Sequence, residues 1–78
     1  MLGTVVLIHR QMPIVRIEDG CWCVIKPLGH YDLMIGDRLS GNLNEKGRCE
    51  ILNTDHNEKM NVDILNVAKH IPLIPKDY

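Results

Sequence analysis

Cys21, Cys23 and Cys49, with His9, His30, His56 and His70, are the residues of this chain whose types could bind a soft metal ion or perform nucleophilic chemistry. Structural zinc sites draw thiolates from tight turns of the C-x2-C kind, where both sulfurs reach one ion. Cys21 and Cys23 are separated by a single residue, and in an extended strand such a pair lies about 7 Å apart on one face. A cysteine so placed is a small apolar residue on a half-buried surface, so no metal or cofactor is expected. A thiol beside a histidine would supply a nucleophile and a base. The chain has no Gly-rich phosphate loop and no nucleophile elbow, and 78 residues leave little volume for a pocket that excludes water. Catalysis is not expected, and no catalytic residue is assigned.

Binding chemistry has better candidates. Arg16, Lys26 and Arg38 can meet phosphates, and Tyr31 can stack on a base. The plainer reading of Arg16 and its neighbour Glu18 is a solvated cross-strand charge pattern, and that of Tyr31 is a loop aromatic covering one end of a sheet. Nine Lys and Arg against ten Asp and Glu are interspersed along the chain, for a net charge of -1. That balance counts against a dedicated sequence-independent nucleic-acid binder, whose affinity comes mostly from phosphate neutralisation. The polar run of residues 54–59 lacks the spacing and glycine of a calcium loop and reads as an exposed turn.

These residues must be positioned by strands. Hydrophobic residues make up 45% of the chain, weighted to Ile, Val and Leu with no Phe, and branched side chains suit a pleated, half-buried surface. The organising stretch is residues 13–26, PIVRIEDGCWCVIK, in which Asp19-Gly20 separates two apolar runs. Asp-Gly signals a two-residue turn with positive φ at both positions. That turn sets Ile17 opposite Trp22, Arg16 opposite Cys23 and Val15 opposite Val24, so Val15, Ile17, Trp22 and Val24 share a core face. Ile14, Arg16, Glu18, Cys21, Cys23 and Ile25 then share a mixed face, whose two isoleucines want cover.

The remaining elements follow in order. Residues 3–9, GTVVLIH, are a long first strand, with residues 10–12 as a polar break before Pro13. Residues 26–32 interrupt the sheet, and a single helical turn is expected over residues 32–35. A fourth strand runs over residues 38–43 with Gly41 as a bulge or corner, followed by a hairpin loop at 44–47 and a fifth strand at 48–53. The last strand spans 60–67, where Val62, Ile64 and Val67 alternate until the pattern slips. Residues 70–78, HIPLIPKDY, with Pro72 and Pro75, are expected to be an extended tail on a single barrel domain of residues 1–69. The expected core is Val5, Leu7, Val15, Ile17, Trp22, Val24, Leu39, Ile51, Val62 and Ile64.

Five or six short strands, a break after the third and the Gly36-Asp37 entry into the fourth resemble the OB-fold, and within it the cold-shock and S1-like barrels. In place of the aromatic-rich second and third strands of the cold-shock group stand IVRIE and CWCVI. Gly3-Thr4-Val5, residues 36–41 (GDRLSG), Asn42-Leu43 and Gly47 also resemble a group of small uncharacterised bacterial proteins, which carries no activity with it. The fold class expected is all-β, a small five- or six-stranded antiparallel OB-like barrel. The resemblance implies a non-catalytic binding module for single-stranded RNA or DNA through the second and third strands, with Arg16, Lys26, Tyr31 and Arg38 as the contact residues. The alternative is a protein-interaction or self-assembly module that uses the mixed hairpin face and the apolar tail. With no long apolar run and no signal-peptide pattern at the start, the expected location is the cytoplasm and no membrane partner is expected.

Overall fold

Branched residues alternating with polar ones over most of the chain produce strands throughout. A computed structural model describes residues 1–69 as β1 (Leu2–His9), β2 (Met12–Ile17), β3 (Trp22–Pro27), β4 (Arg38–Ser40), β5 (Gly47–Asn53) and β6 (Glu58–Ala68). The strands close into an antiparallel barrel in the order β1-β2-β3-β6-β5-β4, with β4 returning to pair with β1. The all-β, OB-like barrel expected from the sequence is thus the architecture observed. The tail expected over residues 70–78 lies outside the described residues. Residues 32–35 form no helical turn, β4 is shorter than expected, and β6 begins two residues earlier.

The hairpin at the centre of the sequence forms with a register one residue away from that expected. Ile14 pairs with Val24, Val15 with Cys23 and Arg16 with Trp22. Gly20 has φ +90, whereas Asp19 has no positive φ, so the loop is not a type I′ turn. It has three residues, 18–20, closed by Gly20 N–H donating to Ile17 O (2.9 Å) and Ile17 N–H donating to Cys21 O (2.8 Å). The Asp19 side chain fixes this choice, because its Oδ1 accepts the Cys21 N–H at 2.9 Å. With a period of two, a one-residue slip exchanges the faces. Cys23 and Ile25 are therefore fully buried in the barrel, while Trp22 and Val24 turn outward and are half-buried.

Leu7 also leaves the expected core, 37% exposed, and a bulge is the reason. Val5 pairs with Val15 and Leu7 with Ile14, so Val6 is an extra residue. A second bulge at Leu65 lies between the Val24–Asn66 and Ile25–Ile64 pairs. Each bulge lets a run of apolar residues switch faces, which explains the unbroken VVLI of β1 and the slipped alternation of β6. The core that results is Val5, Val15, Ile17, Cys23, Ile25, Leu39, Leu43, Ile51, Met60, Val62 and Ile64. β1 crosses it closely at Gly3, where an added Cβ would stand 2.6 Å from Val15 Cγ1 and 2.9 Å from Leu43 Cδ1.

A candidate binding face on the barrel

The corrected register brings together residues that the expected one kept apart. Trp22 pairs with Arg16, Arg16 with Thr4, and Thr4 with Arg38. These four residues form one outward row across β3, β2, β1 and β4, with Arg16 and Arg38 on either side of Thr4. Adjacent strands are about 4.8 Å apart, so the two arginine backbones are separated by about 10 Å. The Arg16 guanidinium carbon sits 5.2 Å from the centroid of the Trp22 ring, within the range of a cation–π contact. A shallow groove of about 380 Å³ lies over Thr4 between the two arginines.

Arg38 is held from the other side. Its Nη2 and Nε donate to Asp55 Oδ1 at 2.9 and 3.2 Å, and its backbone N–H donates to Asp55 Oδ2 at 2.9 Å. The Arg38 side-chain hydrogen bonds, followed by its backbone one, hold the Asp55 carboxyl below its ordinary value, and the same side-chain bonds raise Arg38. The arginine side chain remains 68% exposed, so this surface pair aims the guanidinium without hiding it.

Behind Asp55 lies a small buried polar network. Asn53, fully buried, donates through Nδ2 to Asp37 Oδ2 at 3.0 Å, and its Oδ1 accepts the backbone N–H groups of Asp55 (3.1 Å) and His56 (3.3 Å). Asp37 Oδ2 also accepts the Met34 N–H at 2.9 Å and lies 3.2 Å from His56 Nε2. Burial by itself would raise the Asp37 carboxyl, but the bonds from Asn53 and Met34 and the neighbouring His56 outweigh it, and the net shift is downward. This network joins the loop before β4 to the β5–β6 turn and so sets the position of Arg38.

Lys26 and Tyr31 stand apart from the row. Lys26 is exposed on β3 opposite Asp63, which in turn faces Arg48 on β5, an alternation of sign that interrupts any continuous positive stripe. Tyr31 is half-buried at one barrel end, where its hydroxyl accepts the Asn61 N–H at 3.0 Å. Trp22 was missed by sequence reasoning because the Asp-Gly pair suggested the shorter turn, and Thr4 because nothing in its own neighbourhood marks it. Of the cysteines, Cys23 is in the core and its thiol is pushed up to about 12, by burial first and then by Cys49 and Asp19. Cys49 is raised as well, again by burial first.

Below the row lies a band of apolar side chains turned outward by the hairpin register and by the two bulges. Leu7 pairs with Ile14 and Ile14 with Val24, with Leu65 at the β6 end. Ile14 is buried outside the central core cluster, whereas Leu7 and Leu65 are 37% and 38% exposed. No family model, curated protein or solved structure matches the chain.

Proposed function

We propose that the protein is a non-catalytic binding module that takes single-stranded nucleic acid across the outer face of β3, β2, β1 and β4. The observation that carries this reading is the register row Trp22–Arg16–Thr4–Arg38. It combines two cations, a hydroxyl and one ring, the groups with which single-strand binders track phosphates and stack bases. The second and third strands are also the ligand-contacting face of OB-folds, the cold-shock barrels among them, an argument from likeness of fold.

The test is an amide NMR titration of the labelled protein with a mixed-sequence single-stranded oligonucleotide at low salt. Shifts are expected to cluster on Thr4, Arg16, Trp22 and Arg38. With two phosphates met, the logarithm of the affinity falls against the logarithm of salt with a slope of about -1.4. Arg16→Glu removes the response and leaves the fold intact. A protein saturated with oligonucleotide whose shifts lie elsewhere, or that shows no shifts at all, refutes the reading.

A protein partner or second copy is the other reading, favoured by the apolar band of Leu7, Ile14, Val24 and Leu65 beside the Trp22–Arg16 pair, since Trp and Arg dominate interface energetics. Its signature is an unresponsive spectrum together with a rotational correlation time too long for 8.9 kDa.

A further inference from the structure

The burial of Ile14 has no source in the barrel itself. Its pairing with Leu7 and Val24 puts it on the outer face, alternating along β2 with Val15 in the core. Yet Ile14 is 2% exposed, whereas Leu7 beside it is 37% exposed. An outward strand residue meets water unless something crosses above it. Among the described residues no strand does so, since each packs only against its two barrel neighbours. The long connection after β3 takes another route. Leu28 N–H donates to Asn61 O, Gly36 N–H donates to Val5 O and Val5 N–H donates to Asp37 O, which carries the connection over the barrel end from β6 to β1.

The dimensions of the apolar band decide what could cover it. Leu7, Ile14, Val24 and Leu65 cross four neighbouring strands, a span of about 14 Å that is one side chain wide. Its area is on the order of 100 Å², against about 800 Å² contributed by each partner of a stable protein pair. A second copy would gain too little here. An extended segment of four residues is about 13 Å long, which matches the span.

The chain supplies such a segment close by. β6 ends at Ala68, which pairs with Trp22, two residues along β3 from Val24. Residues 70–78 continue from there, outside the described residues, and include Ile71, Leu73 and Ile74. From Ala68 to Ile14 is two strand spacings across and two residues along, about 12 Å, and the six residues to Ile74 can reach about 20 Å. Pro72 and Pro75 lack the N–H that a ladder needs, and the closed barrel offers no edge to extend. Contact through side chains is what this sequence has to offer. So short a tether also holds a segment at an effective concentration in the millimolar range, an advantage no untethered competitor has.

We propose that the outer apolar band is the docking surface of the chain's own residues 71–74, laid across Val24 and Ile14 with Leu7 and Leu65 at the rims. The band is then covered from within, and the Trp22–Arg16–Thr4–Arg38 row beside it is the part of this side left open. The proposal rests on the band alone and not on the nucleic-acid reading.

The test is methyl NMR on the full chain. Cross-relaxation between the methyl groups of residues 71, 73 and 74 and those of Ile14 and Val24 is expected, and it is expected to vanish in an isotope-filtered experiment on mixed labelled and unlabelled protein. A soluble gadolinium chelate is expected to leave the Ile14 and Val24 methyls sharp. The double variant Leu73→Asp, Ile74→Asp is expected to raise the chelate's broadening of both severalfold while the core methyls of Val62 stay as in the parent. If that variant folds poorly, the contacts in the parent decide alone. Absence of those contacts in the parent overturns the proposal, and chelate broadening of Ile14 and Val24 there would mean a face left open for another partner. Contacts that survive the isotope filter overturn it in favour of a second copy. A folded double variant whose Ile14 and Val24 methyls stay as protected as the parent's overturns it too.

Discussion

Replacing Asn53 by aspartate tests the polar network that sets Arg38. The orientation of the Asn53 amide follows from its partners. Oδ1 accepts two backbone N–H groups, from Asp55 and His56, so the amide nitrogen must be the atom facing Asp37 at 3.0 Å. Asn53→Asp retains the acceptor and turns the donor into a second carboxylate oxygen against the first. At that separation and an effective dielectric of about 20, the repulsion is about 5 kcal/mol. The protein has a cheaper route, which is to keep one proton on the pair. Holding a proton on a carboxyl of ordinary pKa near 3.9 costs about 4 kcal/mol at pH 7 and about 1.5 kcal/mol at pH 5. The introduced carboxyl, once protonated, then donates to Asp37 and restores the lost bond.

The variant is therefore expected to be about 4 kcal/mol less stable than the parent at pH 7, and to recover about 2.5 kcal/mol of that by pH 5. A domain of this length has a total stability of about 4–12 kcal/mol, so the loss is large and measurable. The signs of the two pH dependences are opposite. In the parent, the Asp37 pKa is lowered by folding, so its contribution is present above the ordinary carboxyl value and is lost as pH falls through the lowered one. In the variant, the pair binds a proton in the folded state that the unfolded chain has released, so stability falls as pH rises from 5 to 7. Urea denaturation followed by Trp22 fluorescence at pH 5, 6 and 7 measures both. A variant destabilised equally at all three values would show that the two side chains do not share a proton, and the reasoning fails. The same series with His56→Ala isolates the contribution of the imidazole 3.2 Å from Asp37.

Gly3→Ala forces a methyl to within 2.6 Å of Val15 Cγ1, and a loss of about 2 kcal/mol is expected from overpacking; an unchanged melting temperature refutes the close crossing of β1. Gly20→Ala meets no atom within 4 Å, but the residue has φ +90, so about 1 kcal/mol is expected from backbone conformation alone; a neutral effect in thermal melts means the three-residue loop is misassigned. Arg16→Ala removes the cation from the Trp22 ring, and an altered Trp22 emission with a stability loss of about 0.5–1 kcal/mol is expected. An unshifted emission maximum would place the guanidinium elsewhere. Cys23, with its thiol pushed up to about 12, is expected to resist alkylation at pH 8 in the folded protein, whereas Cys21 and Cys49, both half-buried, react first; modification of Cys23 at the rate of an unfolded thiol contradicts its place in the core.

What was legible in the sequence was the class of element and the barrel, because branched residues repeat with a period of two and Gly, Pro and Asp punctuate them. Seven of the ten expected core residues, among them Val5, Leu39 and Val62, are buried. The three that are not, Leu7, Trp22 and Val24, share one cause. Their faces depend on single-residue insertions, the bulge at Val6 and the third loop residue before Cys21, and an insertion is decided by one hydrogen bond rather than by pattern. Asp19 illustrates this: the same side chain that favours a two-residue turn instead accepts the Cys21 N–H and lengthens the loop.

The candidate site was less legible than the fold because it lies on those same insertions. Arg16 and Arg38 could be nominated by charge, but the residue that joins them, Thr4, sits 12 and 34 positions away in the chain and is identified only once both strand pairings are known. The consequence for function is physical. In the two-residue register Trp22 would have been a core residue and Arg16 would have faced Cys23. In the observed register the ring is outside, beneath the guanidinium, and Cys23 is the residue β3 places in the core. Deletion of Glu18 leaves Asp19-Gly20 as a two-residue loop between Ile17 and Cys21, which keeps Arg16 opposite Trp22, so the variant is expected to retain the outward Trp22 and the parent's emission maximum and response to oligonucleotide. A blue-shifted emission with the response lost would show instead that the shorter loop pulls Ile17 opposite Trp22 and that the turn, rather than the packing of the strands, sets the face.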